Sequence, residues 1–278
     1  MTALKLTILG CGASGGVPRV GNNWGACDPE NPRNRRLRCS ALIERYSARG
    51  RTTVLIDTSP DLRQQLLAAK VAKIDGVLFT HDHADHTHGI DDLRVLAYAG
   101  KRRINVYFDA ATGDSLTTRF RYCFSSEPNR GYPPILKANR FRPLESLTID
   151  GAGGPITVLP FEQQHGPIIS IGFRVGGLAY SSDISGVPEH SEHALAGLDC
   201  WVLDALRYNT HVSHYSLAEA LGEVARVGAK RAILTHLHDD LDYETLRGEL
   251  PDHVAPAYDG MTLEFEADPT EKIPAGNR

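Results

Sequence analysis

The most informative segment of the chain is Thr80-His81-Asp82-His83-Ala84-Asp85-His86. It directly follows an apolar strand predicted over residues 76–79, so its side chains lie in a loop that a rigid sheet can aim. Imidazole and carboxylate groups are ligands that proteins offer to zinc, manganese and iron. Four such groups within six residues cannot all be buried without a partner. This density favours a metal site over the alternative, a solvated polar turn.

Three further candidate ligands stand at the ends of predicted strands elsewhere in the chain. His165 follows a strand at 156–161, Asp183 follows one at 178–182, and His236 follows one at 231–234. Any one of them alone is more simply explained as a hydrogen-bonded surface or core residue. Together with the first segment they give seven ligands, which is enough for two metal ions that share one carboxylate: His81, His83, Asp85, His86, His165, Asp183 and His236.

This combination resembles the metallo-β-lactamase superfamily, whose pattern is His-x-His-x-Asp-His, a later His, an Asp and a final His, each at a strand end. The resemblance covers nearly the whole chain. It implies an α/β fold, the αβ/βα sandwich of two mixed β-sheets flanked by helices, with a dinuclear site of zinc or manganese at one edge. It assigns His81, His83 and His165 to one ion, assigns Asp85, His86 and His236 to the other, and makes Asp183 the bridge. Asp183 and His86 together speak against antibiotic hydrolysis.

Three further segments resemble one branch of that superfamily, the cyclic ribose-phosphate phosphodiesterases of phosphonate breakdown. They are Gly10-x-Gly12-x-Ser14-x-Gly16-Val17-Pro18, the stretch from Trp24 to Ser40, and Asp259-Gly260-Met261. Transfer-RNA 3′-processing endonucleases share the opening but carry a long arm between the later His and the bridging Asp. Here these positions, 165 and 183, are only 18 apart, so we expect neither tRNA nor another nucleic acid as a partner. The resemblance implies a small phosphate-ester substrate and a homodimer.

The early loop departs from the phosphodiesterase pattern. Those relatives hold a further, structural zinc with several cysteines there and a His shortly after the last catalytic His, whereas this loop keeps only Cys27 before Cys39. His238 or Asp239 could supply a distal ligand. We expect no intact structural zinc.

His214 is the candidate proton donor. It lies just ahead of a helix that begins with the capping box Ser216-Leu217-Ala218-Glu219, and it matches the acid histidine of the phosphodiesterases. Histidine can donate a proton near neutral pH, so His214 is expected to protonate the leaving oxygen while Asp85 orients the attacking group. The alternative is a capping or surface role, which we favour for His211.

A run of arginines and a glycine-rich turn precede the metal-ligand segment. One of the arginines is a candidate for binding a substrate phosphate, although arginine runs usually form a solvent-exposed surface. The turn at 10–16 is expected to border the cleft, and no Gly-Lys-Ser follows it. The run comprises Arg33, Arg35, Arg36 and Arg38.

Composition excludes several classes of protein. The chain has 278 residues, 41% of them hydrophobic, and a formal charge of −4, which argues against binding by neutralisation of many phosphates. No apolar run approaches the roughly 18 residues of a membrane span. The start does not resemble a signal peptide, and five cysteines without a Cys-x-x-Cys pair indicate reduced thiols. We therefore expect a cytoplasmic protein that does not associate with membranes.

The patterns predict one domain over residues 1–266 and a flexible tail over 267–278. Within the domain they predict a helix that begins at Pro60 behind an N-cap at Ser59, one helix over 110–124, and a long loop over 125–145. The function that fits best is a dinuclear metal-dependent phosphodiesterase for a small cyclic ribose phosphate or nucleotide-like ester. Alternatives are a hydrolase of a thioester or lactone, and a nucleotide-binding metal protein without turnover.

Overall fold

The computed structural model describes residues 3–126 and 132–266, and the predicted tail lies outside them. The first sheet has seven strands in the order β14-β1-β2-β3-β4-β5-β6. The strands β3 to β6 run parallel to one another, and the others are antiparallel to their neighbours. Their bounds are β1 Ala3–Gly10, β2 Ser40–Ser47, β3 Gly50–Ile56, β4 Gly76–Leu78, β5 Ile104–Phe108, β6 Leu136–Arg140 and β14 Thr262–Glu266.

The second sheet also has seven strands, in the order β13-β12-β11-β10-β9-β8-β7. Its strands β10 to β13 are parallel, and β7 to β10 form antiparallel hairpins. A Gly176-Gly177 turn joins β9 to β10, and Gly176 has φ of +56°, which glycine adopts without strain. The bounds are β7 Leu147–Ile149, β8 Ile156–His165, β9 Ile168–Val175, β10 Leu178–Ser181, β11 Cys200–Asp204, β12 Ala232–Thr235 and β13 Val254–Pro256.

Helices cover the outer faces of both sheets. One buried cluster lies between the sheets and draws on both, for example Leu6 and Val202, while separate clusters lie under the helices on each side. Alternating burial on one sheet face and then the other produces these layers, because side chains in a strand point to opposite faces. The αβ/βα sandwich is therefore confirmed. The helices are α1 Leu62–Ala68, α2 Ala84–Thr87, α3 Leu93–Ala99, α4 Ala110–Arg119, α5 Arg121–Phe124, α6 Leu217–Val227 and α7 Tyr243–Glu249.

Helix α6 follows the sequence signals closely. The Ser216 hydroxyl accepts from the N–H of Glu219 while the Glu219 carboxylate accepts from the N–H of Ser216, which completes the capping box. Gly228 ends the helix in the left-handed conformation. The loop before the helix, which carries His214, is therefore fixed at one end.

Three local predictions are wrong. The helix expected from Pro60 begins at Leu62, because Ser59 instead accepts the N–H groups of Asp61 and Leu62 in a turn. The helix expected over 110–124 is broken at Phe120, whose φ of −113° and ψ of 35° are not helical. The loop expected over 125–145 contains strand β6. This is an edge strand, and its middle residues are exposed, so the sequence shows no apolar alternation there. Residues 127–131 of the expected loop are outside the described residues.

The carboxyl ends of the central strands of both sheets meet at one edge. A cross-sheet hydrogen bond from the Ile171 N–H to the Thr80 carbonyl ties the sheets together there. The glycine-rich turn borders the same edge, since the Ala13 N–H donates to the Leu237 carbonyl. No helix among the described residues is long and apolar enough to cross a bilayer.

Candidate metal centre

Three residues at this edge adopt a left-handed backbone within two residues of the end of a buried strand. They are Asp57 after β3, Asp183 two residues after β10, and His236 after β12, with φ of 60°, 55° and 57°. Such conformations in residues other than glycine are uncommon and cluster at functional sites. The turn ends each strand abruptly and brings the side chain into the cleft between the two sheets.

The seven side chains singled out in the sequence lie together in two groups. In the first, one ligand atom from each of four residues lies within 4.8 Å of the others: His81, His83, His165 and Asp183. In the second, the same holds for Asp85, His86, Asp183 and His236. His165 is the last residue of β8, which extends four residues beyond its expected end and carries this imidazole into the cleft.

Asp183 belongs to both groups, and its two carboxylate oxygens face different ones. Oδ2 lies 3.9 Å from Nε2 of His81 and 3.7 Å from Nε2 of His165. Oδ1 lies 3.0 Å from Nε2 of His86 and 3.4 Å from Nε2 of His236. This is the geometry of a carboxylate that can bridge two cations.

Three of the imidazoles are oriented through Nδ1, which leaves Nε2 to face Asp183. His165 donates from Nδ1 to the Ser213 carbonyl at 2.7 Å, and His86 donates from Nδ1 to Asp57 at 2.8 Å. The Thr80 hydroxyl donates to Asp57, so Nδ1 of His81 donates to the Thr80 oxygen at 2.9 Å. Outer hydrogen bonds of this kind fix the tautomer of metal-binding histidines.

Asp57 is a site residue that the sequence analysis missed. Its buried carboxylate accepts from the N–H and the hydroxyl of Thr80 as well as from His86. The signal was available, because Asp57 directly follows a buried strand, as His236 does. An isolated aspartate at such a position did not stand out beside the histidine cluster.

The residues present fit metal cations. The Nε2 atoms of His81, His86 and His236 are buried and form no well-directed hydrogen bond although they lie 3.0–3.9 Å from the Asp183 oxygens, an arrangement that would be costly unless a cation met them. Burial alone would lower the pKa of His236, but Asp183 and Asp85 outweigh it and raise that pKa to about 9. Burial likewise opposes the charge on His86, whose pKa Asp183 and Asp85 nevertheless raise well above its usual value. The carboxylates therefore strongly favour positive charge at this site.

His214 lies beside these groups in a dyad with Asp204, the last residue of β11. Nδ1 of His214 donates to Oδ2 of Asp204 at 2.6 Å, and its Nε2 lies 4.0 Å from Oδ2 of Asp183. The ring stacks on that of His236 with centroids 4.7 Å apart. The dyad therefore holds one imidazole nitrogen at the edge of the ligand groups.

The four arginines of the early loop all have protein partners. Arg38 pairs with Asp61, Arg35 lies over Trp24, and Arg33 lies over Tyr243 and Tyr258. Arg36 is almost fully buried and donates to the carbonyl oxygens of His238 and Leu241 at 2.9 and 2.6 Å. That an arginine meets a phosphate therefore stays a prediction.

The loop around Cys27 does not fit the structural zinc of the phosphodiesterases. The guanidinium of Arg36 lies 3.8 Å from the Cys27 sulfur, where a cation already stands beside the thiol. His238 contacts Asp239 through Nδ1 at 2.7 Å and Arg19 through Nε2. Among residues 3–126 and 132–266, the groups of converging metal-ligand atoms include neither Cys27 nor His238.

Comparison with known proteins identifies the family. Residues 52–237 match the model of the beta-lactamase superfamily domain. The chain therefore belongs to the metallo-β-lactamase superfamily. This membership, together with the two histidine and aspartate groups, makes it a metallo-β-lactamase-fold hydrolase with a site for divalent metal.

One solved structure that resembles the chain along almost its whole length is described as a new diphosphatase from the PhnP family. It has a TM-score of 0.85 and 34% identity, and the match covers 95% of this chain and 98% of that one. A curated octanoyltransferase of Porphyromonas gingivalis is 33% identical over 93% of this chain and 51% of its own length. A coenzyme PQQ synthesis protein B of Bradyrhizobium diazoefficiens is 30% identical over 57% of this chain and 52% of its own length. The chain thus spans about half the length of these curated relatives.

Proposed function

We propose that the chain is a dinuclear phosphodiesterase that hydrolyses a small cyclic ribose phosphate or nucleotide-like ester. Zinc or manganese would be held by the two groups that share Asp183, with His81, His83 and His165 on one side and Asp85, His86 and His236 on the other. Bound there, two such cations supply charge stabilisation for phosphoryl oxygens and activation of water.

The observation that carries the proposal is the dyad of Asp204 and His214 beside Asp183. Hydrolysis of an alkyl phosphate ester expels an alkoxide, which leaves readily only when it receives a proton. His214 has its Nδ1–H bound to Asp204, so a second proton taken up by the ring lies at Nε2, where it faces the cleft and can pass to the departing oxygen, leaving the neutral ring. Asp85 belongs to the second group, where its carboxylate lies 3.5 Å from Nε2 of His86, and there it would orient the attacking water.

Hydrolysis of a phosphoric anhydride is a second candidate. The solved structure that matches at 34% identity is described as a diphosphatase. An anhydride shares the phosphoryl centre but expels a phosphate, a much weaker base than an alkoxide, so it has less need of the proton on His214. The two candidates therefore differ in how strongly turnover depends on that residue.

A substrate panel tests the proposal. The metal-loaded protein, prepared separately with zinc and manganese, is assayed on bis(4-nitrophenyl) phosphate, a cyclic nucleotide, a nucleoside diphosphate ester, a thioester and a lactone. We expect the phosphodiesters to have the highest kcat/KM. The proposal is wrong if a thioester or lactone is cleaved orders of magnitude faster than every phosphodiester. Tight nucleotide binding without turnover would instead support a binding protein.

A further inference from the structure

The Ser213 peptide holds one imidazole on each side. Its carbonyl accepts from Nδ1 of His165 at 2.7 Å, and its N–H donates to Nδ1 of His211 at 3.3 Å. A backbone N–H can only donate, so Nδ1 of His211 is an acceptor and the proton of its neutral ring is on Nε2. The same residue that orients a candidate metal ligand therefore also fixes the tautomer of His211.

His211 lies one imidazole further out from the ligand groups than His214. The ring centroids of these two residues are 5.2 Å apart, and His214 in turn stacks on His236. The His211 side chain is partly exposed, and no group within residues 3–126 or 132–266 accepts a hydrogen bond from its Nε2. Burial, with smaller effects from His214 and Arg207, lowers the pKa of His211, which favours the neutral form of the ring.

We infer that His211 is a specificity-determining residue whose Nε2–H donates a hydrogen bond to a hydroxyl of the leaving group, on the carbon next to the oxygen that His214 protonates. The inference rests on the proposed function. Because His214 faces the departing oxygen in the proposed reaction and His211 is the next ring outward, we expect the atoms attached to that oxygen to lie near His211. A neutral N–H donor suits a neutral hydroxyl, whereas anionic groups are usually met by arginine or lysine. The vicinal hydroxyls of ribose have this arrangement.

The test uses adenosine 3′,5′-cyclic phosphate and its 2′-deoxy counterpart, which differ only in the hydroxyl next to the 3′ oxygen. The proteins are the wild type, His211→Ala and His211→Gln, whose amide N–H can reach near the former Nε2 position. His190→Ala is the matched control, because His190 is an exposed histidine whose Nε2 pairs with Glu162. Metal content is measured for each protein.

We expect His211→Ala to lower kcat/KM for the ribose substrate about three- to tenfold, the usual value of one hydrogen bond, and to leave the deoxy substrate nearly unchanged. His211→Gln should recover most of the loss, and His190→Ala should behave as the wild type. Metal content should stay the same in all variants, because Ser213 orients His165 through its backbone.

If His211→Ala lowers kcat/KM equally for the two substrates, or if His211→Gln does not recover kcat/KM for the ribose substrate, the inference is overturned. The phosphodiesterase proposal would still stand. The inference also fails, with the proposal intact, if the wild type does not prefer ribose over deoxyribose, or if it cleaves bis(4-nitrophenyl) phosphate but neither cyclic nucleotide. A wild type that cleaves no phosphodiester at all would overturn the proposed function and the inference with it.

Discussion

Asp204 contacts two imidazoles with different tasks. One oxygen accepts from Nδ1 of His214 and from the Ile184 N–H, and the other lies 3.8 Å from Nδ1 of His236. A buried carboxylate in this position orients the imidazole of His214 and stabilises it when it carries a proton. The proposed proton donor is therefore coupled to the proposed metal ligand through a single side chain.

Replacing His214 with alanine separates proton donation from metal binding. For a substrate with an alkoxide leaving group we expect kcat to fall about 10²- to 10⁴-fold, the usual contribution of a general acid. The kcat for bis(4-nitrophenyl) phosphate should fall far less, because nitrophenolate leaves without a proton. Steady-state kinetics on both substrates and elemental analysis check this.

His190→Ala serves again as the control for loss of a histidine. Metal loss in His214→Ala would assign that residue to metal binding. Equal kinetic losses on the two substrates would show that it acts on something other than the leaving group. A small loss confined to the alkoxide substrate would favour the anhydride candidate.

At the scale of elements, hydrogen bonds from Arg36, a residue of the early loop, hold the loop after β12 in place. This loop begins with His236 and continues to α7, and its carbonyl groups at 238 and 241 both accept from the guanidinium. No ion pair within 4 Å includes Arg36 in the part of the chain that the structure describes, so carbonyl oxygens and the Asn34 side chain are the direct acceptors of this buried guanidinium. The position of His236 thus depends on a residue 200 positions earlier in the sequence.

Arg36→Leu should destabilise the fold more than the loss of an exposed arginine. The carbonyls of His238 and Leu241 each lose their charged donor and keep only the Leu241 N–H and the Cys27 thiol respectively, at a cost of about 1–3 kcal/mol each. Arg33→Leu is the control: that side chain is more exposed and lies over two tyrosine rings, a contact of about 0.5–1 kcal/mol per ring. Urea unfolding measures the free energy of unfolding of both variants. Equal losses of this free energy would contradict the proposed role of Arg36 in holding the loop after β12.

Elements with strong local signals could be predicted from sequence, and those set by pairing partners could not. Helix α6 has its capping box and terminal glycine, and the segment after β4 has its dense ligand pattern. Strand β6 has one buried residue, Leu136, and gains its structure from the parallel pairing with β5. Asp57 resembles an ordinary turn residue until the fold brings it against His86.

The roles within the site show the same division. Spacing and strand ends could identify the seven candidate ligands, but which oxygen of Asp183 faces which group depends on how the two sheets pack. The contacts of Arg33 with two tyrosines, and the burial of Arg36 against the carbonyls of 238 and 241, involve residues more than 200 positions away. Local patterns carry no information about such contacts.

At the scale of the whole molecule, the site exists only when the two sheets are packed together. His81, His83, Asp85 and His86 follow a strand of the first sheet, whereas His165, Asp183 and His236 are at strand ends of the second. Any cation held by both sets links the two halves of the sandwich. Metal binding should therefore be tied to folding, because the complete set of ligands is absent from the unfolded chain.

The central claim is that two metal ions share Asp183, and metal stoichiometry tests it most directly. Elemental analysis of metal-replete, dialysed protein should give two equivalents per chain, and Asp183→Asn should lose affinity at both sites together. The control is Asp199→Asn, which removes an exposed carboxylate that pairs with Lys230 away from the site and should retain both ions. One equivalent or none in the wild type would contradict the account. So would an Asp183→Asn protein that keeps one site at full affinity.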